Sequence, residues 1–486
     1  MILRHLTALP LVLALLGGCA VGPDFETPKP PEEAGYGKDV APPPADGTTQ
    51  RLVFGHDVAG DWWHLFHSEP LNALVRQALA NNPTMAAGQA ALRQARENVA
   101  AQQGFYYPSV SAGIDASRNL TPLAALSPTG PNGNPYYSLV TPQLSVAFAP
   151  DVFGANQRAV ESLQAQADNQ RFMLEATWVT LTSNIVAAAI QEASLRGQIG
   201  TVEQTVRIED DLLTILRAQQ RLGQASGADV AAQEAALALA QQQLPPLRKQ
   251  LAQQRDALIA LAGQFPDDDI AQKFDLVSFQ LPTELPVSLP ADLVKQRPDI
   301  RQAEENLHAA SANIGQAVAA RLPQIVLTAQ AGNSANSPGN LFTPATNFWS
   351  VTGGLTQPLF DGFTLMHRQR AAQAAFDQAA AEYKSTVLTA FQNVADALRA
   401  LQSDADAVNA AAAAERAAGR SLEIARKQMQ LGEVAYLALL NAQNAYAQAQ
   451  LSQVQAIAIR LADTAALFQA LGGGWWNRPP DPDANP

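Results

Sequence analysis

One pattern occurs twice in this chain and constrains everything else. A proline opens an alanine-rich helix, a second proline stops it, and a strand-like run follows. The helix-opening prolines, Pro83 and Pro298, are 215 positions apart, and the helix-stopping prolines, Pro108 and Pro323, are also 215 positions apart. Two landmarks at one offset indicate a duplicated unit. Pro108 and Pro323 therefore mark two equivalent helix-to-strand junctions, since proline opens a helix well but cannot continue one. The tight turn at 150–154 returns at 358–362 with an offset of 208, and Leu222-Gly223 returns as Leu431-Gly432 with an offset of 209.

The intervening segments divide into strands and very long helices. Residues 109–116 alternate loosely, and 138–149 place Leu144, Val146 and Phe148 on one face. The second copy offers 324–332 and 349–359. Two strands of about ten residues joined by a long polar loop have the form of a transmembrane β-hairpin. No proline occurs in 151–244 or 359–478. The first of these regions carries an apolar seam at Val160, Leu163, Ala167, Leu174, Trp178, Leu181 and Ile185 and reads as a helix running to about Gly223. Such a helix is on the order of 100 Å long and needs lateral partners, as in a coiled-coil wall. Pro245-Pro246 is expected to kink or interrupt the return helix.

Four strands cannot close a barrel, and open strand edges are not tolerated in lipid. Strands pooled from several copies of the chain remove the difficulty, and the helices pool in the same way. The fold class expected is mainly α with a transmembrane β-barrel portion and an internal two-fold repeat.

The N-terminus reads as a targeting segment. Residues 1–18 carry a weak basic start and an apolar run too short to span a bilayer permanently. They end at Gly17-Gly18-Cys19, which resembles a bacterial lipobox, and Cys19 is the only cysteine of the 486 residues. Cys19 is the expected lipidation site, and acyl chains there would hold the protein to the outer-membrane lipid. Ala20, rather than an aspartate, follows it, which favours the outer membrane. The boundaries expected are 1–18 signal peptide, 19–60 lipid-anchored extended tether, 61–285 first repeat, 286–476 second repeat and 477–486 disordered tail.

Other function classes find little support. The net charge of −12 gives no nucleic-acid footprint. No nucleophile elbow, nucleotide loop or zinc-protease motif occurs, so neither an enzyme nor a cofactor is expected. The acidic triplet Asp267-Asp268-Asp269 reads as a solvated loop, and His56, His64 and His67 lack the partners of a metal site. Trp178 and Trp349 read as packing and membrane-interface residues.

At this point the residues resemble the TolC-like outer-membrane efflux factors, and within them the lipoprotein, NodT-type and OprM-like branch. The motifs that carry the resemblance are Cys19 to Phe25; Trp62-Trp63, Phe66, Leu71, Leu74 and Asn82-Pro83; Arg297-Pro298-Asp299-Ile300-Arg301 with Glu304; the turn at 358–362; and Leu471 to Trp475. The resemblance implies a homotrimer whose 12-stranded β-barrel continues into a periplasmic α-helical coiled-coil barrel. It implies an exit duct of a tripartite pump in a Gram-negative outer membrane, working with a periplasmic adaptor and an inner-membrane transporter, expected to be of the RND type. Drugs and other toxic compounds are the implied cargo. The periplasmic gate would lie at the tips where the long helices reverse, with Leu437, Asn441 and Asp229 as candidate gate residues. Asn441 stands where many members carry an aspartate ring. Arg221, Leu222, Gly223, Leu431 and Gly432 are the expected adaptor contacts. The competing structural reading is a lipid-anchored periplasmic coiled-coil scaffold without a pore.

Overall fold

The computed structural model describes residues 20–29, 36, 50–120, 136–288 and 290–478. Cys19, the targeting segment 1–18, most of the 477–486 tail and residues 121–135 of the first hairpin loop lie outside the described residues. The elements are, in order, β1 (Arg51–Phe54), a short 3-10 turn (Trp62–Phe66), α1 (Glu69–Asn81), α2 (Pro83–Gln103), β2 (Ser109–Leu120), β3 (Tyr136–Phe148), α3 (Ala155–Arg221), α4 (Gly227–Leu261), β4 (Glu284–Val287), α5 (Pro290–Gln296), α6 (Pro298–Ala319), β5 (Gln324–Asn333), β6 (Asn347–Thr356), α7 (Thr364–Leu431) and α8 (Tyr436–Ala470). Two compact units result, the first comprising Met1–Pro28, Ala91–Gln170 and Ala303–Tyr383, the second Lys29–Ala90, Arg171–Gln302 and Lys384–Pro486.

The first unit is organised by a four-stranded antiparallel sheet in the order β2-β3-β5-β6. Its register runs rows of residues across all four strands. Val110, Val146, Ala329 and Val351 form one row, and Ser111, Ser145, Gln330 and Ser350 form the next. Adjacent rows point to opposite faces. One face is therefore apolar and continues through Ala112, Leu144, Ala331 and Trp349. The other is mostly polar. Ile114, Leu144, Trp349, Val351 and Leu355 of the apolar face are all exposed. A water-soluble sheet would bury such a face, because leaving a Leu or Ile side chain in water forgoes roughly 1.5–3 kcal/mol.

Long helices and an aromatic core make up the second unit. Ala, Gln, Leu and Arg dominate α3 and α7, which lie in this unit from Arg171 and from Lys384 onward, and all are good helix formers. Trp62 is fully buried and stacks on Phe468, with ring centroids 5.0 Å apart and an interplanar angle of 19°. Trp63 lies 5.6 Å from Trp178, in line with the packing role expected for that tryptophan. α3 contains an 18-residue stretch apolar enough to cross a membrane, yet 56% of it is buried. A helix seam packed on its neighbours accounts for that.

Of the two outcomes expected at Pro245-Pro246, an interruption of the return helix does not occur; α4 runs through both. Their rings leave the carbonyls one turn earlier without donors. Gln241 and Gln242 sit there and are exposed, so their carbonyls are open to hydration. The stretch 19–60 is also not wholly extended tether. Arg51 to Phe54 pair in parallel with Glu284 to Val287, and Arg51 forms an ion pair with Glu284. The pairing closes across more than 200 residues, and no local pattern announces it.

Candidate functional site

Three places carry the residues that the sequence singles out: the helix-to-strand junctions, the N-terminal segment beside them, and the helical tips.

In the first unit, Pro108 and Pro323 line one cleft of about 800 Å3 together with Phe105, Tyr107, Phe148 and Ile325. Each proline stands just before its strand, at β2 and β5. The two junctions therefore come together, as the equal offsets suggest.

Residues 20–25 dock in the same unit. Arg158, 3% exposed, donates from Nη2 to Asp24 at 2.7 Å, from Nη1 to Glu161 at 2.7 Å and from Nε to the Val21 carbonyl at 3.2 Å. Phe25 stacks on His308 at 4.4 Å, and His308 Nε2 lies 3.1 Å from Glu161. Gly315 makes room for the segment, since a Cβ there would fall 2.8 Å from the Val21 carbonyl oxygen. Sequence reasoning missed this clamp. Its one local signal was a glycine inside an otherwise alanine-rich helix.

The two tips lie in the second unit and are built alike at their first half. Gly223 has φ 75° and Gly432 φ 72°. The Gln224 N–H donates to the Gln219 carbonyl at 2.8 Å and the Glu433 N–H to the Gln428 carbonyl at 2.9 Å. Gly223 and Gly432 donate in turn to Gln220 and Met429. Each tip thus ends its long helix in a Schellman turn, which needs a left-handed residue at the glycine.

The second halves differ. Asp229 closes a capping box at the start of α4: its Oδ2 accepts from the Ser226 N–H at 3.1 Å, and Ser226 Oγ accepts from the Asp229 N–H at 3.1 Å. α8 starts after Ala435, which has no side chain to cap with. Leu437 and Asn441 follow, one helical turn apart on the same face, and both are exposed. The expected contact leucines, Leu222 and Leu431, are 74% and 73% exposed, an unusual state for leucine at two adjacent turns. Arg221, Gly223 and Gly432 are exposed beside them.

A shared core holds the two hairpins together. Leu213, Leu216 and Val230 of the first pack in one cluster with Leu422, Tyr436, Leu439 and Leu440 of the second. Through this core runs a polar chain that the sequence did not suggest. Tyr436 donates its hydroxyl to Gln233 Oε1, and Gln233 Nε2 donates to Glu209 Oε2 at 2.5 Å and to the Glu209 carbonyl at 2.6 Å. Burial pushes the Glu209 carboxyl above the ordinary carboxylate range, and the Gln233 hydrogen bond opposes that rise. Burial, then the nearby Glu209 and Asp229, raise the Tyr436 hydroxyl, which stays a neutral donor.

Comparison with known proteins decides what these parts belong to. The family model of the outer membrane efflux protein matches residues 74–264 and 289–473. The chain belongs to the outer membrane efflux protein family. It is 31% identical over 493 residues to the probable efflux pump outer membrane protein SepC of Pseudomonas putida, covering 97% of each. It is 28% identical over 484 residues to the toluene efflux pump outer membrane protein TtgC of the same species, covering 98% of this chain and 96% of that one. Among solved structures, the outer-membrane channel OprN is similar with a TM-score of 0.83 at 25% identity, over 94% of this chain and all of that one. This member of the family is thus a transport protein of the Gram-negative outer membrane.

Proposed function

We propose that this protein is the exit duct of a tripartite efflux pump, and that three copies assemble around one pore. The observation that carries the reading is the sheet: four strands whose edges, β2 and β6, are unpaired among the described residues, with one apolar exposed face and one mostly polar face. In lipid, edges must be closed. Three chains supply twelve strands, within the range of outer-membrane barrels, with the apolar rows toward lipid and the serine, threonine and glutamine rows toward the lumen. The helices of the three chains pool in the same way into a periplasmic conduit, and the halves 61–285 and 286–476 act as repeats. Lipidation at Cys19 anchors each chain after the 1–18 signal is removed, and the docked segment 20–25 supports that placement.

At the tips, Leu437 and Asn441 form the narrowing of the pore, while Asp229 serves as the cap of α4. Leu222 and Leu431 with Arg221, Gly223 and Gly432 meet the periplasmic adaptor. A neighbouring groove of about 630 Å3, apolar at Leu212, Ile215 and Met429 and bounded by Asp211 and Arg426, suits a helical partner. The inner-membrane transporter is of the RND type. Small, largely apolar toxic compounds are the cargo, by likeness to the toluene pump component.

Deletion of the gene tests the role. Minimal inhibitory concentrations of a panel of solvents, dyes and antibiotics are expected to fall at least fourfold and to recover on complementation. An unchanged panel, or a protein that crosslinks only as a monomer, would sink the reading. A second expectation concerns the tip. Asn441→Asp adds a carboxylate per chain to the narrowest ring, so purified channels in planar bilayers are expected to become more cation-selective and to be blocked by a trivalent cation. Leu437→Ala is expected to raise conductance severalfold. Unchanged currents in both variants would remove these residues from the pore.

A further inference from the structure

The cleft at the helix-to-strand junctions is open to solvent and lined mostly by apolar side chains. Its rim carries Phe105 and Tyr107, 67% and 73% exposed, and the exposed Val326. A volume of about 800 Å3 falls in the range of sites for largely apolar ligands. Asp151 is the one charged side chain of the lining, and it is already engaged. Its carboxylate accepts from the Asn156 N–H at 3.0 Å and the Gln157 N–H at 2.7 Å, at the start of α3. Gln102 likewise donates to Asn156 Oδ1 at 2.7 Å. What the cleft offers an occupant is aliphatic and aromatic surface, and a contiguous exposed surface of that kind marks a binding place.

The docked N-terminal segment reaches this rim. The Val21 N–H donates to the Phe153 carbonyl at 3.2 Å. Ala20 packs on Gly154, where a Cβ would fall 2.6 Å from the Ala20 Cα. Phe153 and Ala155, on either side of that glycine, both line the cleft. Arg158 holds the segment in place through the Val21 carbonyl and Asp24. Cys19 is one peptide from Ala20, about 3.8 Å between Cα atoms, so a substituent on its sulfur starts beside the cleft. The equivalent turn of the second repeat has no such neighbour among the described residues: a Cβ on Gly362 would meet nothing within 4 Å.

We propose that this cleft seats an acyl chain carried by Cys19 of the same copy of the protein. The inference rests on the lipidation proposed above and goes beyond it, since an anchor needs only a bilayer, whereas this seat fixes one acyl chain against the protein. The cleft lies where β2 and β5 begin and β3 ends, at the end of the sheet from which the helices depart. An acyl chain seated there covers Phe105 and Tyr107 and takes its own methylenes out of water. The bilayer offers those methylenes an equally apolar place, so burial alone does not choose between the two. Tethering does: the grip of Arg158 on the segment keeps the acyl chain beside the cleft at a high effective concentration. The anchor is thereby joined to both helix-to-strand junctions, because Pro108 and Pro323 line the same cleft.

The test feeds cells that make the full-length protein a palmitate analogue bearing a photoreactive diazirine, and irradiates their outer membranes. Mass spectrometry of the purified protein is expected to find the label on Cys19 and its crosslink on 104–107, 148–153 or 323–326. A denaturing gel is expected to show the crosslinked product as a monomer. Phe105→Glu places a charge on the exposed rim, where the fold does not depend on the ring. It is expected to lower the crosslink yield at least fivefold, with Cys19 still labelled and the circular dichroism spectrum unchanged. A labelled Cys19 that crosslinks only to membrane lipid, or a dimer band from capture by a neighbouring copy, would overturn the seat and leave the anchor standing. An unlabelled Cys19 would overturn both. Equal crosslinking by the Glu variant would overturn the seat as well.

Discussion

Arginine in place of Leu144 is expected to abolish assembly in the membrane, while arginine at the neighbouring Ser145 is expected to leave assembly intact. Leu144 sits in a central strand between Ala112 and Ala331 and belongs to the apolar, exposed face. Ser145 belongs to the row with Ser111 and Gln330 on the opposite face. Chemically the two substitutions insert the same group, one residue apart. On the face proposed to meet lipid, an arginine near the bilayer midplane would cost roughly 2–4 kcal/mol, and the proposed homo-oligomeric barrel would meet that cost once per chain. On the face proposed to line the lumen, the guanidinium would stay in water and alter only the pore's charge and width. The heat-resistant oligomer band of outer-membrane extracts reads the first effect, and single-channel conductance reads the second. If both variants assemble equally well, or if Ser145→Arg is the one lost, the assignment of faces is wrong.

The parity behind that prediction was partly legible in the sequence. Leu144, Val146 and Phe148 declared their common face through spacing alone. The first hairpin strand, whose apolar row is Val110, Ala112, Ile114 and Ala116 with two of the four only alanine, did not declare itself as clearly. The junction prolines were legible because proline forbids helix continuation whatever surrounds it. The tip glycines were legible because a Schellman turn asks for a left-handed residue, and Gly223 and Gly432 supply it. Hidden were the contacts between residues far apart in the chain: the pairing of Arg51 with Glu284, the grip of Arg158 on Asp24, and the chain from Tyr436 through Gln233 to Glu209. No periodicity encodes a buried polar partner on another element. Pro245-Pro246 misled for the opposite reason, since a local rule was outweighed by exposure of the carbonyls it concerned.

The same contacts separate the two tips energetically. The first is locked locally by the Ser226–Asp229 box, a feature that contributes about 1 kcal/mol. The second has alanine at the equivalent place and depends on Tyr436, whose hydroxyl reaches across to the first hairpin. Leu437 is the residue next to that tyrosine. The tip that carries Leu437 and Asn441 therefore lacks the local N-cap bond of its neighbour, and Tyr436 ties it to the first hairpin instead.

Arg297→Ala is expected to be the most damaging single change in the helical unit. Arg297 is 8% exposed and begins the Arg-Pro-Asp motif of the second repeat. Its Nε and Nη2 form a fork on Asp299 at 3.0 and 2.7 Å, and its Nη1 donates to the Ala470 carbonyl at 2.8 Å. Ala470 is the last residue of α8, where the carbonyls have no helical donors and the helix dipole favours a cation. The adjacent Gln296 carbonyl accepts from Trp475 Nε1 at 2.7 Å, so one short segment fastens both the helix end and the glycine turn beyond it. Removing the guanidinium leaves the carbonyl of a buried helix end unsatisfied, at a cost of about 1–3 kcal/mol. Lysine preserves the charge but cannot form the fork and the carbonyl bond together, so Arg297→Lys is expected to lie between wild type and alanine. Asp299→Asn is expected to do least, because Asp299 is partly solvated and the bond to Ala470 survives. Thermal melting followed by circular dichroism in detergent is expected to place the alanine variant roughly 5 °C below wild type. A fall as large in Asp299→Asn would show that the ion pair, not the helix end, is what Arg297 secures.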